Sequence, residues 1–209
     1  MPNTWFTSDT HYHHKNIVRG VSSWPDSPAE MGLQKKRDFD TLEEHDETLI
    51  QKFNDLVKWD DTLYHMGDWS FGGHEQIKKF RDRLNCRHIH LVFGNHDQHI
   101  EPINSPYRSL FDSCEYYNEL EFRLDRKWHQ FQKLKICMFH YAMRVWNKSH
   151  HGSILLYGHS HGSLADAGNR SMDIGVDTNN LYPYHLDEIL DKLLSRKVEI
   201  VDHHNANTN

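Results

Sequence analysis

Five short apolar runs in this chain break off abruptly into aspartate, asparagine or histidine. They are Phe6-Thr7-Ser8-Asp9-Thr10-His11, Tyr64-His65-Met66-Gly67-Asp68, Leu91-Val92-Phe93-Gly94-Asn95-His96-Asp97, Met138-Phe139-His140 and Leu155-Leu156-Tyr157-Gly158-His159-Ser160-His161. Each reads as a strand that stops where side chains able to bind a metal, hold a phosphate oxygen or move a proton begin. In three of the runs a glycine stands at the break, and Gly94 is expected to let the backbone turn there. Such a repeated grammar predicts one site assembled at one edge of a sheet.

The rest of the sequence supplies a scaffold for that edge. Asp40-Thr41-Leu42-Glu43-Glu44 holds two overlapping capping boxes, Asp40 with Glu43 and Thr41 with Glu44, ahead of the stripe Leu42, Leu49, Phe53, Leu56 and Val57. A second helix is expected where Ile77, Phe80 and Leu84 share one side, between strands at Thr62–Met66 and Ile89–Phe93. Strand–helix–strand–helix–strand with short links predicts a parallel sheet covered by helices. Beyond Glu119, Leu120–Leu124 and Leu134–Phe139 read as an antiparallel hairpin joined by the polar residues Arg126–Gln132. Strands at Ile154–Tyr157 and Ser171–Val176, a helix carrying Leu186, Ile189, Leu190, Leu193 and Leu194, and a closing strand at Lys197–Val201 complete the reading. Residues 98–118, broken by Pro102 and Pro106, show no assignable period, and Trp69–Gly73 reads as a tight loop. Residues 20–37 are taken as a loop whose Lys35-Lys36-Arg37 end is a solvated face. The expectation is an α/β (α+β) fold in a single domain over residues 1–202, with His203–Asn209 a frayed tail.

Composition removes several classes. No apolar run approaches the ~18–20 residues a membrane span needs, and the N-terminus lacks the basic and apolar regions of a signal peptide. Cys86, Cys114 and Cys137 are odd in number, with no CxxC pair, which predicts reduced thiols in a cytoplasmic protein and no thiolate zinc site. A formal net charge of −6 leaves no electrostatic footprint for a long polyanion. The 19 histidines raise the prior for metal chemistry.

Asp9, His11, Asp68, Asn95, His140, His159 and His161 form a donor set of oxygens and imidazoles without a thiolate. Such a set suits manganese, with iron, zinc, nickel or cobalt as alternatives. Seven donors exceed what one tetrahedral ion requires and suit two ions that share a bridging carboxylate. Asp68, alone at its strand end, is the candidate bridge.

The five segments, in this order and spanning residues 9–161, resemble the signature of the calcineurin-like metallophosphoesterase superfamily. The resemblance implies a four-layer α/β/β/α sandwich, mixed sheets flanked by helices, with a dinuclear centre where strands end. It places one ion on Asp9, His11, Asp68 and His161, and the second on Asp68, Asn95, His140 and His159. It also gives His96 the role of contacting phosphate and protonating the leaving group, with Asp97 orienting His96. His14, Asn16, Arg144 and His151 are further candidates for substrate contacts. Arg144 could hold a phosphate oxygen or form a surface salt bridge. Trp69, Trp146 and Tyr141 could wall a base but fit core packing better, and Asp173 and Asp177 could back the ligands or simply shape turns.

The function expected is a metal-dependent phosphodiesterase or phosphomonoesterase acting on a small phosphoester, a nucleotide among the candidates. A nuclease acting on DNA or RNA is the alternative within enzymes. It would want a basic groove, and Lys78–Arg87 alone supplies local positive charge, read as a solvated helix face. The reading from another class is a protein-binding module that kept the fold and lost the chemistry. It is weakened by the presence of every expected ligand position and of His96.

Overall fold

The computed structural model describes residues 2–25, 36–123 and 133–202. The expected Arg126–Gln132 connection, Leu124 and the His203–Asn209 tail lie outside the described residues. In chain order the elements are β1 (Thr4–Thr7), α1 (Leu42–Leu56), β2 (Thr62–His65), α2 (His74–Arg83), β3 (His88–Val92), β4 (Ser113–Glu115), β5 (Tyr117–Phe122), β6 (Leu134–Phe139), β7 (Ile154–Tyr157), β8 (Ser171–Asp173), β9 (Tyr184–His185) and α3 (Leu186–Leu193).

Two mixed sheets result, with strand orders β4-β3-β2-β1-β9 and β5-β6-β7-β8. β1, β2, β3 and β4 run parallel, and β9 closes the edge antiparallel to β1. In the second sheet β5 and β6 form the expected hairpin, while β6, β7 and β8 are parallel. Period-two alternation sorts side chains between layers. Trp5, Leu63, Ile89 and Leu91 face the helices and pack with Leu49, Phe53, Ile77 and Phe80. Phe6, Met66 and Val92 face the other sheet and meet Ile136, Met138, Ile154 and Leu156, with Ile189, Leu190 and Leu193 of α3 in the same cluster. The outer face of the second sheet, Cys137, Leu155 and Tyr157, is covered by Trp146 from an irregular segment. That layer is thinner than its counterpart over the first sheet.

α1 starts as the capping signal requires, with Thr41 Oγ1 accepting from Glu44 N–H at 3.1 Å. The Glu44 carboxylate reaches one residue further back, to Asp40 N–H at 3.3 Å. Three local expectations are corrected. Residues 98–118 contain a 3₁₀ turn, Pro106–Leu110, and the short strand β4. Only the first three residues of the expected Ser171–Val176 strand pair; Val176 already belongs to a 3₁₀ turn. The closing strand at Lys197–Val201 does not form: its alternation has no ladder partner, and Val198 and Val201 stay exposed. The strand that does close the sheet, Tyr184–His185, is too short for any periodicity to reveal. No helix among the described residues is long and apolar enough to cross a membrane.

Candidate metal centre

Parallel pairing of β1, β2 and β3 puts their C-terminal ends side by side, and the ends of β6 and β7 face them from the second sheet. The loops continue the alignment for a few residues: Asp9 N–H donates to Gly67 O, His11 N–H to Asp68 O and Tyr12 N–H to Trp69 O. Five candidate ligands, Asp9, His11, Asp68, His159 and His161, hold left-handed backbone angles with φ between 44° and 66°. Aspartate and histidine enter that region more readily than most residues, yet clustering of this kind marks a site that the surrounding fold holds in place.

Glycine at two strand ends is required by proximity. A Cβ on Gly94 would lie 2.3 Å from Asp68 Oδ1 and 2.5 Å from Asp68 N. Gly94 therefore makes room for the Asp68 carboxylate; the chain turns there, Asp97 N–H donating to Gly94 O at 3.4 Å, without a positive φ at the glycine. A Cβ on Gly158 would meet Ser8 Oγ at 2.0 Å and Asp9 Oδ2 at 2.6 Å, which clears space for Asp9 in the same way.

All seven candidate ligands converge. His11 Nε2 lies 3.2 Å from His161 Nε2, and these rings with Asp9 form one compact donor group. Asp9, Asp68 and His140 form another. Asn95 Oδ1 is 3.0 Å from His140 Nε2 and 2.9 Å from His159 Nδ1. Asp68 Oδ2 reaches both sides, 3.3 Å from His11 Nε2 and 3.6 Å from His140 Nε2, while its Oδ1 accepts from His96 N–H at 2.9 Å. Donors bound about 2.1 Å from a single ion lie roughly 3.0–3.4 Å apart, so these spacings fit edges of coordination shells.

The chemistry of the donors also fits a cation. His140 Nδ1–H donates to Met66 O at 2.7 Å, which leaves a lone pair on Nε2. That lone pair meets Asn95 Oδ1, another acceptor, with Asp68 Oδ2 just beyond. Such a convergence of acceptors is repulsive until a positive ion joins it. His161 is set the same way, with Nδ1–H on Asp177 Oδ2 at 2.6 Å and Nε2 turned inward. Burial pushes the Asp9 carboxyl up to about 8, with His161 opposing and Asp68 reinforcing the shift. A bound divalent ion would reverse this and hold the carboxylate ionised.

Arg37 is the principal correction to the sequence reading. It is 5% exposed, not part of a solvated face. Its Nε and Nη2 grip Asp177 at 2.8 and 2.9 Å; Nη2 also donates to Asp9 O, and Nη1 to Thr10 O and His45 Nε2. Asp177 thus backs His161 on one side and is held by Arg37 on the other. Burial would raise its pKa, but the Arg37 charge and hydrogen bonds keep it well below the usual carboxylate range. His45 passes the chain on to Asp46, which also accepts from His13. Asp173 staples the neighbouring turn through Gly162 N–H and Gly175 N–H.

Among the described residues Asp97 makes no hydrogen bond to the His96 ring, the contact expected of a residue that orients it. Its buried carboxylate accepts from the backbone N–H groups of Asp68, Trp69 and Gly94 at 2.8, 3.0 and 2.8 Å. The residue binds the β2 and β3 ends together and so positions Asp68. Burial and the nearby Asp68 push its carboxyl up to about 7 despite those bonds. His96 itself is exposed beside the donor cluster, its ring 5.5 Å from that of His11.

The second-tier candidates separate. His14 is buried, stacked on Phe71 at 3.7 Å, with its ring 5.5 Å from that of His11, and burial together with His96 lowers its pKa to about 4. Asn16 spends its amide oxygen on Ser23 N–H and O–H, shaping a turn. Arg144 is exposed and has no ion pair among the described residues; His151 is exposed and packs on His150 in a 3₁₀ turn. Neither is brought against the donor cluster by a hydrogen bond or ring contact among the described residues. Trp69 and Trp146 are core residues, whereas Tyr141 stays exposed, its ring 4.6 Å from that of His159 and its hydroxyl 3.5 Å from Asn95 Oδ1.

Sequence reasoning passed over Arg37, Phe71, His45 and the Met66 carbonyl. A backbone carbonyl leaves no side-chain signal, and an arginine after two lysines looks like surface. For Phe71, the position two residues past Trp69 in a loop anchored by Gly67-Asp68 was the available hint.

Comparison with known proteins agrees with this geometry. The family model of the calcineurin-like phosphoesterase superfamily domain matches residues 39–174. An uncharacterized protein of Methanocaldococcus jannaschii is 25% identical over 206 residues, 95% of either chain. The Gene 66 protein of Mycobacterium phage L5 is 35% identical over 103 residues, 46% of this chain and 41% of its own. A crystal structure of a protein of unknown function from Aquifex aeolicus superposes with a TM-score of 0.58 at 18% identity, over 91% of this chain and 99% of its own, a likeness of fold.

Proposed function

The chain belongs to the calcineurin-like phosphoesterase superfamily, and from that premise we propose that it hydrolyses a small phosphoester, a diester or monoester, at a centre holding two divalent metal ions. The observation that carries this reading is the position of Asp68 Oδ2, within 3.3 Å of His11 Nε2 and 3.6 Å of His140 Nε2, between two donor groups. One ion is assigned to Asp9, His11, Asp68 and His161 and the other to Asp68, Asn95, His140 and His159, with manganese the first choice for this oxygen and imidazole set. When bound, such ions supply an acidified water and neutralise charge at phosphorus. His96, exposed beside the donors, gives a proton to the departing alkoxide oxygen as the phosphorus–oxygen bond breaks. Asp97 keeps Asp68 in register, and the Arg37–Asp177 pair fixes the tautomer of His161.

A polyanionic substrate is less well supported. Lys78 pairs with Asp82, and Arg83 with Glu47, so half of the cations on α2 are paired with acidic neighbours.

The test is hydrolysis of a generic phosphodiester and a generic phosphomonoester by metal-free protein resupplied with manganese, nickel or zinc. Activity lost to chelator and restored by metal is expected, with His96→Ala retaining both ions and losing about 10²–10⁴-fold in rate. Wild type that binds under one equivalent of metal and cleaves neither ester would sink the enzyme reading in favour of an inert binding module. If His96→Ala sheds an ion, its role as acid is wrong.

A further inference from the structure

A proton donor must point at the leaving oxygen, and a displacement of about 1 Å can cost 10²-fold in rate. The His96 ring has no hydrogen-bond partner among the described residues; its backbone N–H is spent on Asp68. The nearest rings are Phe71, with centroids 4.7 Å apart and planes at 47°, and more distantly His11 at 5.5 Å.

Phe71 is itself firmly seated. Its N–H donates to Tyr12 O at 2.8 Å, and Ser70 pairs with Tyr12 as a parallel bridge, so the loop after β2 is strapped to the loop after β1. His14 lies flat against Phe71 at 3.7 Å and 5°, and His11 approaches it at 5.4 Å. Phe71 is half-buried, with His14 flat against one face, while Tyr141 beside His159 is 41% exposed.

We propose that Phe71 is the positioning residue for His96: its ring, packed at 47° against the imidazole, sets the tilt of that imidazole and hence the direction of proton delivery. The inference rests on the reading of His96 as the acid, and the experiment separates the two. Phe71→Leu keeps apolar volume and removes the flat face; Phe71→Tyr keeps both. In zinc-loaded protein, the imidazole nitrogen and carbon-bound proton signals of His96, assigned with His96→Gln, are expected to shift and broaden in Phe71→Leu. Those of His140 and His161 should hold, and Phe71→Tyr should behave as wild type. The kinetic counterpart is a kcat about 10–10²-fold lower for esters with alkoxide leaving groups, little change for an activated phenolate leaving group, and unchanged KM and metal stoichiometry. His96 signals that do not move in Phe71→Leu overturn the proposal whatever the activity. Equal losses for both leaving groups, or loss of an ion, overturn it as well. Signals that move in Phe71→Leu while the wild type cleaves no ester would leave the positioning intact and refute the acid role instead.

Discussion

Replacing Arg37 should damage the protein far more than its place in a Lys-Lys-Arg run suggests. A guanidinium has five N–H donors, and here all five are used: two on Asp177, one each on Asp9 O, Thr10 O and His45 Nε2. Arg37→Met leaves Asp177, whose side chain is only 14% exposed, without its counter-charge. Breaking one partner of a buried ion pair costs about 3–5 kcal/mol, because the other charge stays behind uncompensated. The two carbonyls and the ring nitrogen add to this, but water entering the space vacated by the guanidinium offsets part of their loss. We therefore expect roughly 4 kcal/mol, a large part of the 5–15 kcal/mol that holds a typical domain together. Arg37→Lys keeps the charge and loses the fork, and should cost about half as much. Urea unfolding of chelator-treated protein reads both numbers, provided the slope with denaturant is unchanged. An Arg37→Met loss below about 1 kcal/mol, or equal losses for Met and Lys, would show that the fork does not work as described.

Two further outcomes follow from the same geometry. Gly94→Ala places a methyl 2.3 Å from Asp68 Oδ1, so either the carboxylate or the β3 end must move. Overpacking of this kind costs about 1–3 kcal/mol, and calorimetric titration should show weakened metal binding; unchanged affinity and stability would contradict the close approach. Away from the site, Lys135 first, then Tyr117, hold the Glu119 carboxyl down to about 2. A carboxyl depressed on folding contributes stability above its unfolded pKa and loses it as pH falls toward the folded one. The deficit of Glu119→Gln, on the order of 1 kcal/mol after solvent screening at pH 7, should therefore shrink between about pH 4 and pH 2, and a deficit independent of pH would refute the pairing.

The strands that carry the site were legible because each is a short apolar run with an abrupt polar end, and such runs keep their meaning without tertiary context. α1 and α2 were legible for the corresponding reason, a period near 3.6, which in α1 follows an N-terminal capping signal. What resisted reading was whatever long-range packing decides. Arg37 lies 140 residues from Asp177 in the chain, and no local pattern couples them. The family resemblance made Asp97 the partner of His96; in three dimensions its oxygens are already taken by backbone donors of two strand ends. Lys197–Val201 had the alternation of a strand but pairs with no sheet edge, whereas Tyr184–His185 pairs with β1 with almost no pattern at all.

The left-handed backbone at Asp9, His11, Asp68, His159 and His161 sets stability against chemistry. At about 1 kcal/mol or more per residue, five such positions together tie up roughly 5 kcal/mol, comparable to the whole margin of a modest domain. Glycine at any of them would relax the chain while deleting a candidate ligand, so stabilising the backbone here runs through the loss of side chains proposed to hold metal. Asp9, His11, Asp68, His159 and His161 therefore stand where the backbone alone would be better served by glycine.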